Sequence, residues 1–165
     1  MLRIFCLGLA LMAISGSHAD AQLKGFSLGA YAETAWPDAG FNTTHKQGIG
    51  GGVNADVRLG KLGLTGSAGF MRFGGKMFSM SGTETKSPTL NAIPIRLGLK
   101  YRIIPLLYTK IESGVVKFSN GSGSAVIISP GLGVRVLGLD VQGKYEMWIR
   151  NGSSGFWGVK VGYNF

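Results

Sequence analysis

Cysteine is almost absent: the single one, Cys6, lies in a stretch expected to be removed. The rest of the chain therefore holds no thiol for a disulfide, a thiolate metal site or a cysteine nucleophile. Histidine is nearly as scarce, with two in the chain, and only His45 falls outside that leader. Acidic residues are few, 8 against 17 Lys and Arg, giving a formal net charge of +9. After the leader, no apolar run reaches the roughly 18 residues of a transmembrane helix. What membrane signal exists must be sought in strands.

The leader itself has a recognisable layout. Arg3 precedes an apolar run through Leu11, Met12 and Ile14, and residues 15–21 are small and polar. Ala19-Asp20-Ala21 fits a small-x-small cleavage pattern, with Ser17-His18-Ala19 as the alternative. This predicts a secretory signal peptide over residues 1–21, cut after Ala21, and one domain over residues 22–165. Cys6 is too early and wrongly flanked for a lipoprotein anchor. A basic surface suits nucleic acid, anionic lipid or acidic ligands. Export disfavours nucleic acid and points to outer-membrane lipids, including the phosphates of lipopolysaccharide.

What is abundant is glycine, 28 of 165 residues, roughly twice the usual share. The other strong signal is strict alternation, clearest in the last ten residues. Trp157, Val159, Val161, Tyr163 and Phe165 share one face of an extended strand, while Gly158, Lys160, Gly162 and Asn164 share the other. Similar segments run over about 24–36, 48–59, 62–73, 90–102, 106–117, 125–136, 139–150 and 156–165. Each is near the ~10 residues with which a tilted strand crosses a bilayer.

The connections alternate in length. Gly60-Lys61, residues 103–105 and Leu137-Gly138 are tight turns, whereas 35–47, 74–89, 118–124 and 151–155 are longer and polar. With the N-terminus in the periplasm, every tight turn is periplasmic and every longer loop external, as in outer-membrane barrels. The expected fold is all-β, an eight-stranded antiparallel transmembrane up-and-down β-barrel. A soluble barrel would place the apolar face inside. The opposite face, however, carries Glu33, Asp56, Arg58, Arg96, Lys100, Lys110, Glu112, Arg135, Asp140, Glu146 and Lys160. The terminal aromatic and the loop asymmetry assign that charged face to the lumen and the apolar face to lipid.

Inward charges must be paired or wet. Closing the hairpins at their turns gives three expected lumen ion pairs: Arg135–Asp140, Arg96–Glu112 and Glu146–Lys160. These imply a polar, plugged lumen, since eight strands enclose about as much space as their own side chains fill. Arg58, Arg102 and Arg135 are expected in water near the periplasmic turns. Pro94 and Pro130 cannot donate to a ladder, so each is read as a bulge. Trp36, Arg72, Trp157, Tyr163 and Phe165 are expected at lipid and its headgroups, and Met71, Phe73, Met77, Phe78 and Met80 at an apolar tip of the second loop.

These features together resemble the small outer-membrane barrels of the OmpA-like membrane-domain type. The run Ala92-Ile93-Pro94-Ile95-Arg96-Leu97-Gly98-Leu99-Lys100-Tyr101-Arg102 is similar to the outer-membrane β-barrel domain common in Bacteroidota. Val161, Tyr163 and Phe165 resemble the C-terminal signal read by the barrel-insertion machinery, with Lys160 where that signal usually has glycine. The resemblance implies fold and location. It leaves open a structural or surface-interaction role, a narrow or gated pore, and a lipid A-modifying enzyme.

The residues offer little chemistry. Gly48-Ile49-Gly50-Gly51-Gly52 lacks the Lys-Ser/Thr of a phosphate loop, and Gly63, Gly66 and Gly69 make no dinucleotide fingerprint. Such glycines are expected to make room for aromatic neighbours. His45 with Ser79 or Ser81 is the one conceivable catalytic set, and the expectation is that it is solvated loop. No catalytic residue, metal or cofactor is expected, and the barrel is expected to be a monomer.

Overall fold

The computed structural model describes residues 25–80, 83–119, 123–150 and 152–165. The leader and its cleavage sites lie outside these residues. Ten strands and one helical turn follow in order: β1 (Phe26–Pro37), α1 (Ala39–Thr44), β2 (His45–Leu59), β3 (Leu62–Gly75), β4 (Met77–Met80), β5 (Thr83–Lys86), β6 (Leu90–Arg102), β7 (Leu107–Phe118), β8 (Ser124–Val136), β9 (Leu139–Ile149) and β10 (Ser153–Asn164). Eight of them close into a barrel in the order β1-β10-β9-β8-β7-β6-β3-β2, and β4 and β5 form a separate small hairpin. All pairings are antiparallel.

The seam is fully zipped. Ala30 faces Tyr163, Glu33 faces Lys160 and Trp36 faces Trp157 across β1 and β10. Leu28 and Phe165 exchange both backbone hydrogen bonds, at 3.1 and 2.8 Å. No edge strand remains in the barrel, so no row of backbone donors and acceptors is left unpaired there.

The alternating pattern sorts side chains as expected. Leu97 is 70% exposed on the outside of β6, while its neighbour Arg96 is wholly buried inside. The exterior is a continuous apolar belt that includes Leu28, Val53, Leu64, Ile95, Ile111, Leu132 and Val161. Aromatic rings border it at both ends. Trp36, Trp157 and Tyr145 stand in register on β1, β10 and β9 at the long-loop end, with the Trp157 and Tyr145 rings 4.9 Å apart. Phe26, Tyr101, Tyr163 and Phe165 are exposed at the tight-turn end. Ten residues of β1 separate Phe26 from Trp36, about 33 Å along the strand, and a strand tilt of ~40° makes that about 25 Å of barrel height.

Two expectations about local geometry need correction. Neither Pro94 nor Pro130 makes a bulge: the registers Ala68↔Ile95 and Met71↔Ala92 keep one count across Pro94, as do Ile128↔Met147 and Gly131↔Lys144 across Pro130. Each proline forgoes one ladder bond and the strand runs straight through. The register shift lies instead between His45 and Gly48, where β2 leaves the barrel. Within the second loop β4 and β5 pair from Met77↔Lys86 to Met80↔Thr83. Met71 and Phe73 are not part of its tip, because β3 continues to Gly75 and both point inward, fully buried. Met77 is exposed, and the side chains of Phe78 and Met80 lie outside what is described.

Glycine meets a specific need at Tyr31. A Cβ at Gly52 or Gly69 would fall 2.8 or 2.5 Å from the Tyr31 hydroxyl, so β2 and β3 leave room for the ring. The Leu137-Gly138 turn puts both residues in the left-handed region, with φ of 49° and 88°. That is the two-residue hairpin geometry whose twist matches its strands.

Candidate functional site

The lumen is filled in three layers. At the long-loop end it holds an apolar plug. Phe73, Trp148 and Phe156 pack edge to face with ring centroids 5.1–5.6 Å apart, joined by Met71, Val116, Ile127 and the alanines Ala35, Ala92 and Ala125. From the first long loop α1 adds a lid. Its first turn is closed by the Phe41 and Asn42 amides donating to the Asp38 carbonyl, and the Phe41 ring lies 5.1 Å from Phe73. The base of the β4–β5 hairpin locks onto this lid. Lys76 donates from its backbone to the Thr44 carbonyl at 2.9 Å and from Nζ to the Asn42 carbonyl and Oδ1 at 2.7 and 2.6 Å.

The middle layer is ionic and dry. Arg96 donates to Glu146 at 2.9 Å and Glu33 at 3.2 Å. Lys144 reaches the other oxygens of the same two carboxylates at 2.7 Å each. The Trp148 indole donates to Glu146 at 2.7 Å, tying the plug to the ions. All four charged side chains are at most 1% exposed. Beside this square, Lys110 pairs with Glu112 at 3.2 Å, and the Lys160 ammonium sits 3.5 Å over the Tyr31 ring. Each buried ion costs several kcal/mol to desolvate, and the reciprocal two-by-two arrangement offsets that cost. Below it the free space is about 10 Å³, bounded by Tyr31, Lys110, Gln142, Lys160 and their neighbours. That is no more than the roughly 10–15 Å³ a single water needs.

The third layer opens at the tight-turn end. Arg135 pairs with Asp140 at 2.5 Å and also with Asp56. Lys100 reaches Asp56 at 2.9 Å and Asp140 at 3.6 Å, and Tyr108 donates its hydroxyl to Asp140. The four charged side chains are 10–19% exposed, so this layer is wet where the middle is dry.

Of the three expected pairs, Arg135 and Asp140 face each other across the β8–β9 turn and are joined. Arg96 is not opposite Glu112. The turn after β6 takes in Leu106, with the Leu107 amide donating to Ile104, so Arg96 faces Gly114 and Glu112 faces Gly98. Glu146 is not opposite Lys160 either. The last loop is shorter than expected, Ser153–Gly155 belonging to β10, so Glu146 faces Phe156 and Lys160 faces Gln142. Arg96 and Glu146 instead meet across the lumen, a contact that no hairpin register encodes. Lys144 and Glu33 complete that square, and their inward parity was the available signal.

Trp36, Trp157, Tyr163 and Phe165 stand exposed on the outer surface, 44%, 59%, 56% and 60% respectively. Arg72 is exposed on β3, opposite Ile49 and Asn91, at the long-loop end of the belt. His45 hydrogen-bonds through Nδ1 with Thr44 Oγ1 at 2.8 Å and stacks against Phe41. Ser81, and the side chain of Ser79, lie outside the described residues. Among the described residues no three His, Cys, Asp or Glu side chains gather as a metal site.

The same architecture occurs in solved structures. The Yersinia pestis outer membrane protein Ail in a phospholipid bilayer nanodisc aligns with a TM-score of 0.58 at 19% identity, over 86% of this chain and 99% of that one. A crystal structure of Ail with the heparin analogue sucrose octasulfate gives 0.53 at 18% identity, over 86% and 97%. A de novo designed transmembrane β-barrel gives 0.58 at 16% identity, over 84% and 95%. These likenesses show the fold. No family model and no curated protein matches the chain.

Proposed function

We propose that the protein is a monomeric outer-membrane barrel whose sealed body anchors a basic, loop-built outer end for surface interaction. The observation that carries this reading is the inverted polarity of the barrel. Ions fill the inside while the whole girth outside is apolar, a patch far beyond the few hundred Å² a soluble monomer exposes. Hydrocarbon is the solvent that suits it. Trp36, Trp157 and Arg72 would lie at the outer headgroups, and Tyr163 and Phe165 at the inner ones. Lys46 and Lys117, exposed at the long-loop end, suit the phosphates of lipopolysaccharide, and β10 would be the strand read by the insertion machinery.

The test is a gel on which unboiled protein in detergent migrates differently from boiled protein. The expected result is a clear shift, and partition into the aqueous phase without detergent would overturn the reading. The sealed lumen separates this proposal from a pore. Planar bilayers holding the protein should show no stepwise current, and stable conductance would favour the pore. A non-catalytic role is supported by the described partners of His45, which are the Thr44 hydroxyl, the Phe41 ring and the Pro88 backbone. Unchanged lipid A masses in cells carrying His45→Ala are expected.

A further inference from the structure

The tight-turn mouth differs from the middle layer in its larger excess of cation: Arg58, Lys100, Arg102 and Arg135 against Asp56 and Asp140, where the middle layer sets Arg96, Lys110, Lys144 and Lys160 against Glu33, Glu112 and Glu146. Two cavities open there, of about 180 and 260 Å³. Both are lined by the same four cations, Arg58, Lys100, Arg102 and Arg135. Among the described residues only Asp56 and Asp140 oppose them, and both are already engaged by Lys100 and Arg135. Among the described residues, Arg58 and Arg102 have no carboxylate within 4.0 Å. Both face the lumen by parity, on β2 and β6, with β3 between them.

Two guanidiniums held beside a third without a counter-charge repel each other, and the fold keeps them there. Asp56 and Asp140 tie Arg135 and Lys100 into a floor, while Arg58 and Arg102 line the same cavities with no ion pair among the described residues. Guanidinium forks match tetrahedral oxyanions, to which they give paired, charge-assisted hydrogen bonds. Each cavity exceeds the ~30 Å³ of a liquid water several-fold, leaving room for a phosphate with some hydration. The plug and the ionic square close the lumen above, so a ligand can enter only from the tight-turn side.

We propose that this mouth is a phosphate-binding vestibule, with Arg58 and Arg102 as the ligand-contacting residues over an Arg135–Lys100 floor. The phosphate could belong to a soluble ligand or to a phospholipid headgroup of the adjoining leaflet. The barrel alone builds this site, whichever compartment the mouth faces.

The test uses the full folded chain in maltoside micelles, which carry no phosphate, titrated with pyrophosphate and followed by calorimetry. A second arm holds the protein in phosphatidylglycerol nanodiscs and counts the lipids retained on release into a mass spectrometer. Wild type should bind in one arm, the first identifying a soluble ligand and the second a headgroup. Affinity should fall with added salt, because the mouth is open to water. Arg58→Gln with Arg102→Gln should weaken binding about tenfold or more, while the paired Arg→Lys variant recovers part of it. The heat shift on gels confirms that each variant is folded. No binding in either arm, or full affinity in the folded double Gln variant, would overturn the proposal.

Discussion

The upper two layers of the lumen are closed by opposite means. At the long-loop end, Phe41, Phe73, Trp148 and Phe156 exclude water by packing. In the middle, Arg96, Lys144, Glu33 and Glu146 exclude it by satisfying one another. Packing tolerates small changes gracefully, because neighbouring rings can shift to fill a gap. A closed ionic square does not, because each member removed leaves a partner charged and dry. Below the square, the tight-turn layer uses the same residue types in partial contact with water, where charge is screened and cheaper to lose.

Breaking the square should therefore have the largest effect. Arg96→Met leaves Glu33 and Glu146 with Lys144 alone, and unfolding in urea with lipid vesicles should show a loss of about 3–5 kcal/mol. A loss under 1 kcal/mol would mean that the middle layer is wetter than its geometry indicates. Phe73→Ala in the plug should cost about 3 kcal/mol, at the low end for such truncations, because Met71 and Phe41 can collapse into the space. That variant should remain non-conducting, the square beneath it still being shut. A current would show that the plug alone makes the seal. Asp140→Asn in the wet layer should cost only about 1 kcal/mol, and the cost should shrink in high salt, unlike that of Phe73→Ala. Leu137→Asn should gain up to about 1 kcal/mol in the same assay, because asparagine accepts the left-handed turn more readily than leucine.

The sequence is most informative where structure depends on neighbours in the chain. The apolar and polar faces of β6 could be read directly, because Ile93, Ile95, Leu97 and Leu99 alternate with charge and glycine, and the strand ends where it was expected. The Arg135–Asp140 pair could be read because a two-residue turn leaves only one register. Legibility fails where a loop's length is ambiguous by a residue or two. Leu106 joined the turn before β7 and Ser153–Gly155 joined β10, and each change carried a charge past its expected partner without altering its face. It fails again for contacts across the barrel. Arg96 meets Glu33 and Glu146 because β6 lies opposite β1 and β9 in the closed ring, which is a property of stagger and closure. The plug was hidden for a related reason. Phe73 and Phe156 obey the alternation, but only closure shows that inward-facing rings from β3 and β10 share one layer with Trp148.

The seam between β1 and β10 has a consequence for how the protein is made. Its pairing joins the first strand of the ring to the last one synthesised. Until β10 emerges, β1 has an exposed hydrogen-bonding edge and the greasy belt has no complete cylinder to wrap. Closing so long a loop is entropically slow, and contacts this distant in sequence delay folding. The unfinished chain is therefore prone to aggregate until the two ends of the sheet are joined.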